Sequence, residues 1–310
     1  MYVYTAYNLC IHSEICLPEL VVSEGFPEVI VRIGKPDSFP QATSDWGHHF
    51  RGEISDVGVF WVREGREIFV NPVSGLEEST LRPYILGPAL SVLLRQRRLL
   101  VLHASSIAID DSAVAFIGGS GWGKSTLAEA FHARGYSILT DDVMGIDTQT
   151  EPPTVLPGFP QIKLWPEAAA SIGHAPESLP ILHPGTEKLA HYLTRGFRQT
   201  PLPLKRIYVL AGGDYHAITR LQPQAAFAEL MRHSREVRSL KAPHFISAHL
   251  RQCASLVQQV PICRFQRQRS LAALPELVQL VEEDLTQAVC HDAGSRHSLE
   301  PYFGSLSSVN

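Results

Sequence analysis

The run Gly118-Gly119-Ser120-Gly121-Trp122-Gly123-Lys124-Ser125 has the residue types and spacing to hold phosphate. Its glycines permit a tight turn that brings backbone N–H groups against anionic oxygens. A helix beginning at Lys124 would add its positive end to the same anion. Lys124 has the reach for β- and γ-phosphate oxygens, and the Ser125 hydroxyl suits a Mg²⁺ ion. With Thr126 at its exit, the loop forms the candidate site for ATP. Downstream, the apolar stretch Ile138-Leu139-Thr140 ends in the adjacent carboxylates Asp141 and Asp142. In an open α/β sheet, ligands bind at the carboxyl ends of strands. One of these carboxylates can hold Mg²⁺ while the other accepts a proton from an attacking hydroxyl. Neighbouring strand residues face opposite ways, so the two need not share a task. His103 follows a third apolar stretch, residues 99–102, and is one of 14 histidines.

These residues need elements to position them. Residues 1–75 read as β-rich, with a strand over 29–33 and a hairpin of 57–62 with 67–70 turning at Gly65. Residues 79–98 shift to a helical period through Leu81, Ile85, Leu90, Leu93 and Leu94, interrupted by Pro83 and Pro88. Arg95, Arg97 and Arg98 near its end suit the helix dipole. From residue 99 the pattern alternates between strand and helix. Strands are expected at 99–102, 107–109, 113–117, 136–140 and 143–146, with the helix 124–134 stopped by Gly135. Residues 151–203 are proline-rich and read as irregular apart from a short helix at 167–172, as functional or mobile segments of compact domains usually are. Strands at 207–210, 217–221 and 262–265 follow, with helices at 224–240, 245–257 and 274–285. The fold class is therefore α/β. A β-rich N-terminal domain spans 1–78, a P-loop domain 79–288, and a disordered tail 289–310.

Composition limits the alternatives. The 310 residues are 45% hydrophobic and 19% charged, with a net charge of −4. No basic surplus points to nucleic acid. No apolar run approaches the ~20 residues needed to span a bilayer, so no membrane partner is expected. The first ten residues lack a basic region and a signal-peptide pattern. The five cysteines, Cys10, Cys16, Cys253, Cys263 and Cys290, form no CxxC pair and read as reduced thiols of a cytoplasmic protein. An Asn-Lys-x-Asp segment of the guanine-reading kind is absent, so adenine is the default base.

The segment from Leu102 to Ile146 resembles the HPr kinase/phosphorylase family. The likeness is carried by His103-Ala104-Ser105, the P-loop, Arg134-Gly135-Tyr136 and Thr140-Asp141-Asp142. It implies a P-loop kinase core of HPr-kinase type. It also implies that Asp141 acts on a serine hydroxyl, that Asp142 and Ser125 serve the metal, and that His103 supports the catalytic carboxylate. Tyr4-Thr5-Ala6-Tyr7-Asn8-Leu9, Leu81-Arg82-Pro83-Tyr84 and Pro160-Gln161-Ile162-Lys163-Leu164-Trp165-Pro166 resemble the HPr-kinase-related proteins of lasso-peptide maturation. That branch implies phosphorylation of a serine at the C-terminal end of a precursor peptide. The HPr kinases imply, in addition, a homo-oligomer. Where those kinases carry an acidic, glycine-containing second signature, this chain has Gly158 to Lys163. Lys163 and Lys188 become candidate phosphate or substrate contacts, as does Arg195. The competing readings are a protein serine kinase of HPr type, a small-molecule hydroxyl kinase, and a regulatory module that binds ATP without transferring phosphate.

Overall fold

The first two strands of the chain alternate buried and open positions, the period expected where one sheet face is covered. The computed structural model describes residues 1–37, 47–236 and 243–294. β1 (Tyr2–Ala6), β2 (Leu9–Ser13), β3 (Val21–Val22), β4 (Val29–Ile33), β5 (His49–Ile54), β6 (Gly58–Arg63) and β7 (Glu67–Pro72) form a seven-stranded sheet in the order β3-β1-β2-β4-β7-β6-β5. β1 and β2 are joined through Tyr7 and Asn8, both left-handed (φ 54° and 58°), the conformation a type I′ hairpin turn demands. This tight turn reaches the candidate site. Tyr7 is fully buried, its N–H donates to Pro157 O at 2.7 Å and its hydroxyl to Val143 O at 2.8 Å.

α1 (Glu78–Tyr84) and α2 (Leu90–Gln96) are parts of one helical rod joined by the π-helical turn Ile85–Ala89. The helix thus runs through both prolines instead of stopping at them. Pro88 has no N–H for the ladder, and the wider turn absorbs the resulting mismatch. The rod's Leu81, Ile85, Leu90 and Leu93 pack with Val29, Val31, Val62 and Ile68 of the first sheet in one buried cluster.

A nine-stranded sheet follows, built from β8 (Leu100–Leu102), β9 (Ala104–Ile109), β10 (Ser112–Ile117), β11 (Ser137–Thr140), β12 (Met144–Asp147), β13 (Thr154–Val155), β16 (Leu202–Gly212), β17 (Ala217–Arg220) and β18 (Ile262–Arg267). β14 (Gln161–Leu164) and β15 (Leu189–Tyr192) pair separately, with α4 (Pro166–Ser171) between them. α3 (Lys124–Ala133) follows β10, and α5 (Pro223–His233), α6 (Pro243–Gln259) and α7 (Leu274–Gly294) complete the chain. β10, β16 and β18 are mutually parallel. β9 is antiparallel to both β10 and β11, so β10 and β11 run the same way and end at the same edge.

Apolar side chains on both faces of this sheet explain its helix layers. Val114 and Phe116 of β10 pack with Leu127, Phe131, Leu277 and Val281 of α3 and α7. Ala113, Ala115 and Ile117 face Leu230, Cys253 and Leu256 of α5 and α6. Phe116 stacks on Phe131 and Tyr208 at 5.6 and 5.9 Å between ring centroids. Fully buried side chains of this size contribute roughly 2 kcal/mol each from burial alone. The architecture is mixed α/β: a P-loop strand–loop–helix unit in a two-faced sheet, beside a β-rich N-terminal sheet.

Three expectations need correction. Residues 151–203 are not irregular throughout, because β14 and β15 pair over four positions from Gln161↔Tyr192 to Leu164↔Leu189. The helix expected over 224–240 ends at His233. Ser234 turns extended (ψ 131°) and bridges Leu102, which carries the backbone back along β8; residues 237–240 lie outside the described residues. The last helix continues to Gly294 rather than giving way at 289, and the remainder of the expected tail, residues 295–310, lies outside the described residues. No described helix is long and apolar enough to cross a membrane.

Candidate active site

The P-loop leaves the carboxyl end of β10 and enters α3 at Lys124. Gly121 (φ 73°) and Gly123 (φ 76°) are left-handed, a conformation glycine adopts without a side-chain penalty. Gly123 is the N-cap of α3 and no side chain caps this end. The first-turn N–H groups therefore lack the side-chain partner that most helix starts have. Lys124 is 6% exposed and its ammonium donates to Gly118 O and Gly119 O, both at 3.0 Å. Burial pushes its pKa down to about 8, against the pull of Asp141 and Asp142. Two arginines from the end of β18 and just beyond it brace the loop. Arg267 donates to Trp122 O, while Arg269 donates to Gly121 O at 3.0 Å and lies over the Trp122 ring.

Asp141 and Asp142 reach this edge from β11, and their side chains part company. Asp141 is buried. Its Oδ1 accepts from Ser125 Oγ at 2.8 Å and from Ser105 Oγ at 2.5 Å, and its Oδ2 accepts from the Lys163 N–H at 3.0 Å. Asp142 is left-handed (φ 73°), an uncommon conformation for a residue other than glycine and one that clusters at functional sites. The twist turns its carboxylate away from the P-loop serine. It meets Lys163 Nζ at 2.7 Å, Arg235 Nη2 at 2.5 Å and His103 Nδ1 at 3.0 Å. Burial pushes this carboxyl up, but Lys163, the hydrogen bond from His103 and Arg235 together hold it well below the usual carboxylate range.

Each partner of Asp142 has a structural reason to be there. Lys163 is carried by β14, whose backbone is bonded to Asp141. Arg235 follows the extended turn after α5: its N–H donates to Val101 O at 2.9 Å, and its carbonyl accepts from the buried Arg95 guanidinium. His103 closes β8, with its own N–H donating to His233 O at 2.8 Å. Arg95, read from the sequence as a helix-dipole residue, thus buttresses Arg235 and also donates to Val101 O at 3.1 Å.

A single cavity of about 630 Å³ joins these groups. Its lining has six cationic side chains (Lys124, Lys163, Lys188, Arg235, Arg267 and Arg269) against the acids Asp142 and Glu167. Lys188 stands over the Trp165 ring at 5.4 Å. Pro83, Tyr84 and Pro88 of the α1–π–α2 rod form another wall. A cationic cavity at an uncapped helix start fits a polyphosphate. A hydroxyl beside a buried carboxylate, Ser125 with Asp141, is the oxygen donor set that a hard divalent cation takes.

No protein-family model matches the chain. No curated protein matches it either. Among solved structures, the chain is similar to the Hpr(Ser) kinase/phosphatase from Coxiella burnetii at a TM-score of 0.37 and 11% identity, over 64% of this chain and 99% of that one. Likeness this slight supports no inference about activity.

The structure brings His103, Ser120, Gly121, Trp122, Gly123, Lys124, Ser125, Thr126, Asp142, Lys163 and Lys188 to one cavity, whereas Gly118 and Gly119 do not line it and meet Lys124 through their carbonyls. Asp141 lies behind Ser125. The pairing differs from the one the resemblance implied: Ser125 bonds Asp141, and His103 bonds Asp142. Sequence reasoning missed Arg235, Arg267 and Arg269. The latter two had a signal, since basic residues close a strand whose end falls at the ligand-binding edge. Arg235 had none, because it follows a helix and is placed only by the bridge to β8.

Proposed function

We propose that this chain transfers the terminal phosphoryl group of ATP to a hydroxyl, and that the acceptor is a serine of a peptide. The C-terminal serine of a precursor peptide is the acceptor the family resemblance implies. The observation that carries this reading is the separation of two adjacent carboxylates at one phosphate-fitted cavity: Asp141 behind the P-loop hydroxyl at 2.8 Å, and Asp142 in the cavity wall against His103, Lys163 and Arg235. Bound ATP supplies the phosphoryl group and the ADP leaving group, and Mg²⁺ offsets the charge that develops.

The chain's own residues do the rest. Lys124 and the α3 N-terminus hold phosphate oxygens. Ser125 and Asp141 would hold the cation. His103 orients Asp142, which receives the proton of the attacking hydroxyl as the new O–P bond forms and the bond to ADP breaks. Lys163 and Arg235 bridge Asp142 and the phosphate region, aligning acceptor and donor, so positioning and electrostatics supply most of the rate. This assignment exchanges the roles the resemblance gave to Asp141 and Asp142. Trp165, 43% exposed, with Tyr84 and the two prolines offers an apolar wall suited to a peptide beside the acceptor position.

Incubating the protein with ATP, Mg²⁺ and a peptide ending in serine should give a peptide heavier by one phosphate in mass spectrometry. The modification should be lost when that serine is replaced by alanine. A second reading, nucleotide binding without transfer, draws on the pairing of Asp142 with Lys163 and Arg235. Tight ATP binding with no modified product from peptides or hydroxyl metabolites would favour it and count against transfer.

A further inference from the structure

Away from the phosphate cavity, three potential metal ligands from three separate elements converge. Glu129 lies on α3, one helical turn beyond Ser125. His174 follows α4, and His191 lies on β15. His174 Nε2 is 2.7 Å and His191 Nδ1 3.2 Å from the same oxygen, Glu129 Oε1. One ligand atom from each residue falls within 4.8 Å of the other two.

The cluster is incomplete as a purely hydrogen-bonded one. Glu129 is 1% exposed, and its Oε2 has no hydrogen-bond partner among the described residues. His191 Nδ1 approaches the carboxylate without hydrogen-bond alignment and is also buried without a partner. A buried carboxylate oxygen and a ring nitrogen left unpaired side by side are costly. A cation between them removes the cost. Two imidazoles and a carboxylate form a donor set suited to zinc and its first-row neighbours, whereas Mg²⁺ prefers oxygen alone. Ligands bonded at about 2.05 Å around a tetrahedral ion stand about 3.3 Å apart, so modest outward shifts from the observed spacings would admit one. A cavity of about 270 Å³ adjoins the three residues and leaves room for a water as fourth ligand.

We propose that Glu129, His174 and His191 bind a divalent transition-metal ion of the zinc class. The ion would join α3, which begins at Lys124 and Ser125, to β15, whose partner β14 carries Lys163. It would hold the cation-bearing segment 151–203 onto the P-loop helix. It is separate from the Mg²⁺ position at Ser125 and Asp141, and its occupancy does not depend on phosphoryl transfer.

The test is a titration of the chelator-treated full chain with Co²⁺ in excess Mg²⁺, followed by visible absorption, with Zn²⁺ as competitor. The expected result is one Co²⁺ per chain with visible bands of low coordination number, bleached by Zn²⁺. His174→Ala and His191→Ala should each weaken binding by more than the roughly 10–100-fold that changes behind metal ligands cost. Ser125→Ala should leave it unaltered. No bands from the unaltered chain would overturn the site whether or not the variants fold. So would an affinity in both histidine variants equal to that of the unaltered chain, or loss of the bands in Ser125→Ala.

Discussion

Two walls of one cavity hold charge in different ways. The wall made by β10, the P-loop and α3 is contiguous in sequence, and its donors are backbone groups and one buried lysine. The opposite wall is assembled from His103 after β8, Lys163 on β14 and Arg235 after α5. Asp141 belongs to the first wall through Ser125, and Asp142 to the second through three positively polarised side chains. The lesson is that adjacency in sequence does not assign adjacent residues to one task. A single left-handed residue at the strand end sends the two carboxylates to different partners.

The largest expected effect comes from breaking the contiguous wall. Lys124→Ala removes the buried ammonium of the P-loop, and turnover should fall by roughly 10³-fold with weakened ATP binding. Steady-state kinetics with the peptide and a direct nucleotide-binding measurement check both arms. Breaking the assembled wall should cost less and cost differently. Arg235→Ala should lower kcat by about 100-fold while ATP affinity changes only a few-fold, because Asp142 keeps Lys163 and His103. Comparable losses of affinity in both variants would erase the distinction between the walls.

The smallest effect concerns stability. The folded chain holds Lys124 at a pKa of about 8, below the ordinary lysine value of 10.5. From about pH 8 upward the unfolded chain therefore binds more protons at this position than the folded one, and stability rises with pH. The rise should be opposed from about pH 9, where the buried Cys253 thiol, raised from 9.0 to about 11, keeps its proton in the folded chain, and further above pH 10 by the buried Tyr7, whose pKa is also raised. At pH 7 the buried ammonium is a cost, so Lys124→Met should be more stable by on the order of 1–2 kcal/mol and should lack the rise. Urea denaturation across this pH range measures it.

Much of this was legible before any coordinates. Residues 118–125 and the strands around them follow from an apolar alternation and a motif whose parts have local jobs. The Asp141-Asp142 pair at a strand end was equally visible. Their division of labour was not, since it depends on φ at Asp142 and on partners distant in sequence: Ser105, 36 residues before Asp141, and Arg235, 93 residues after Asp142. The β14–β15 pair escaped notice because Gln161–Leu164 is buried at three of its four positions and shows no strand-like alternation. Its place is set by packing against α3, through contacts such as Ile162 and Leu164 with Leu127 and Phe131. The helix rod over 78–96 was visible, but its passage through Pro83 and Pro88 depends on a π-helical turn that local propensity does not announce.

The division between the two carboxylates is tested most directly by titrating Mg²⁺ against ATP binding and turnover in Asp141→Asn and Asp142→Asn. The account predicts that Asp141→Asn needs far more Mg²⁺ to bind ATP tightly. Asp142→Asn should bind Mg²⁺ and ATP much as the unaltered chain does and transfer no phosphate. The reverse pattern, with metal dependence lost at Asp142 and transfer alone lost at Asp141, would contradict it.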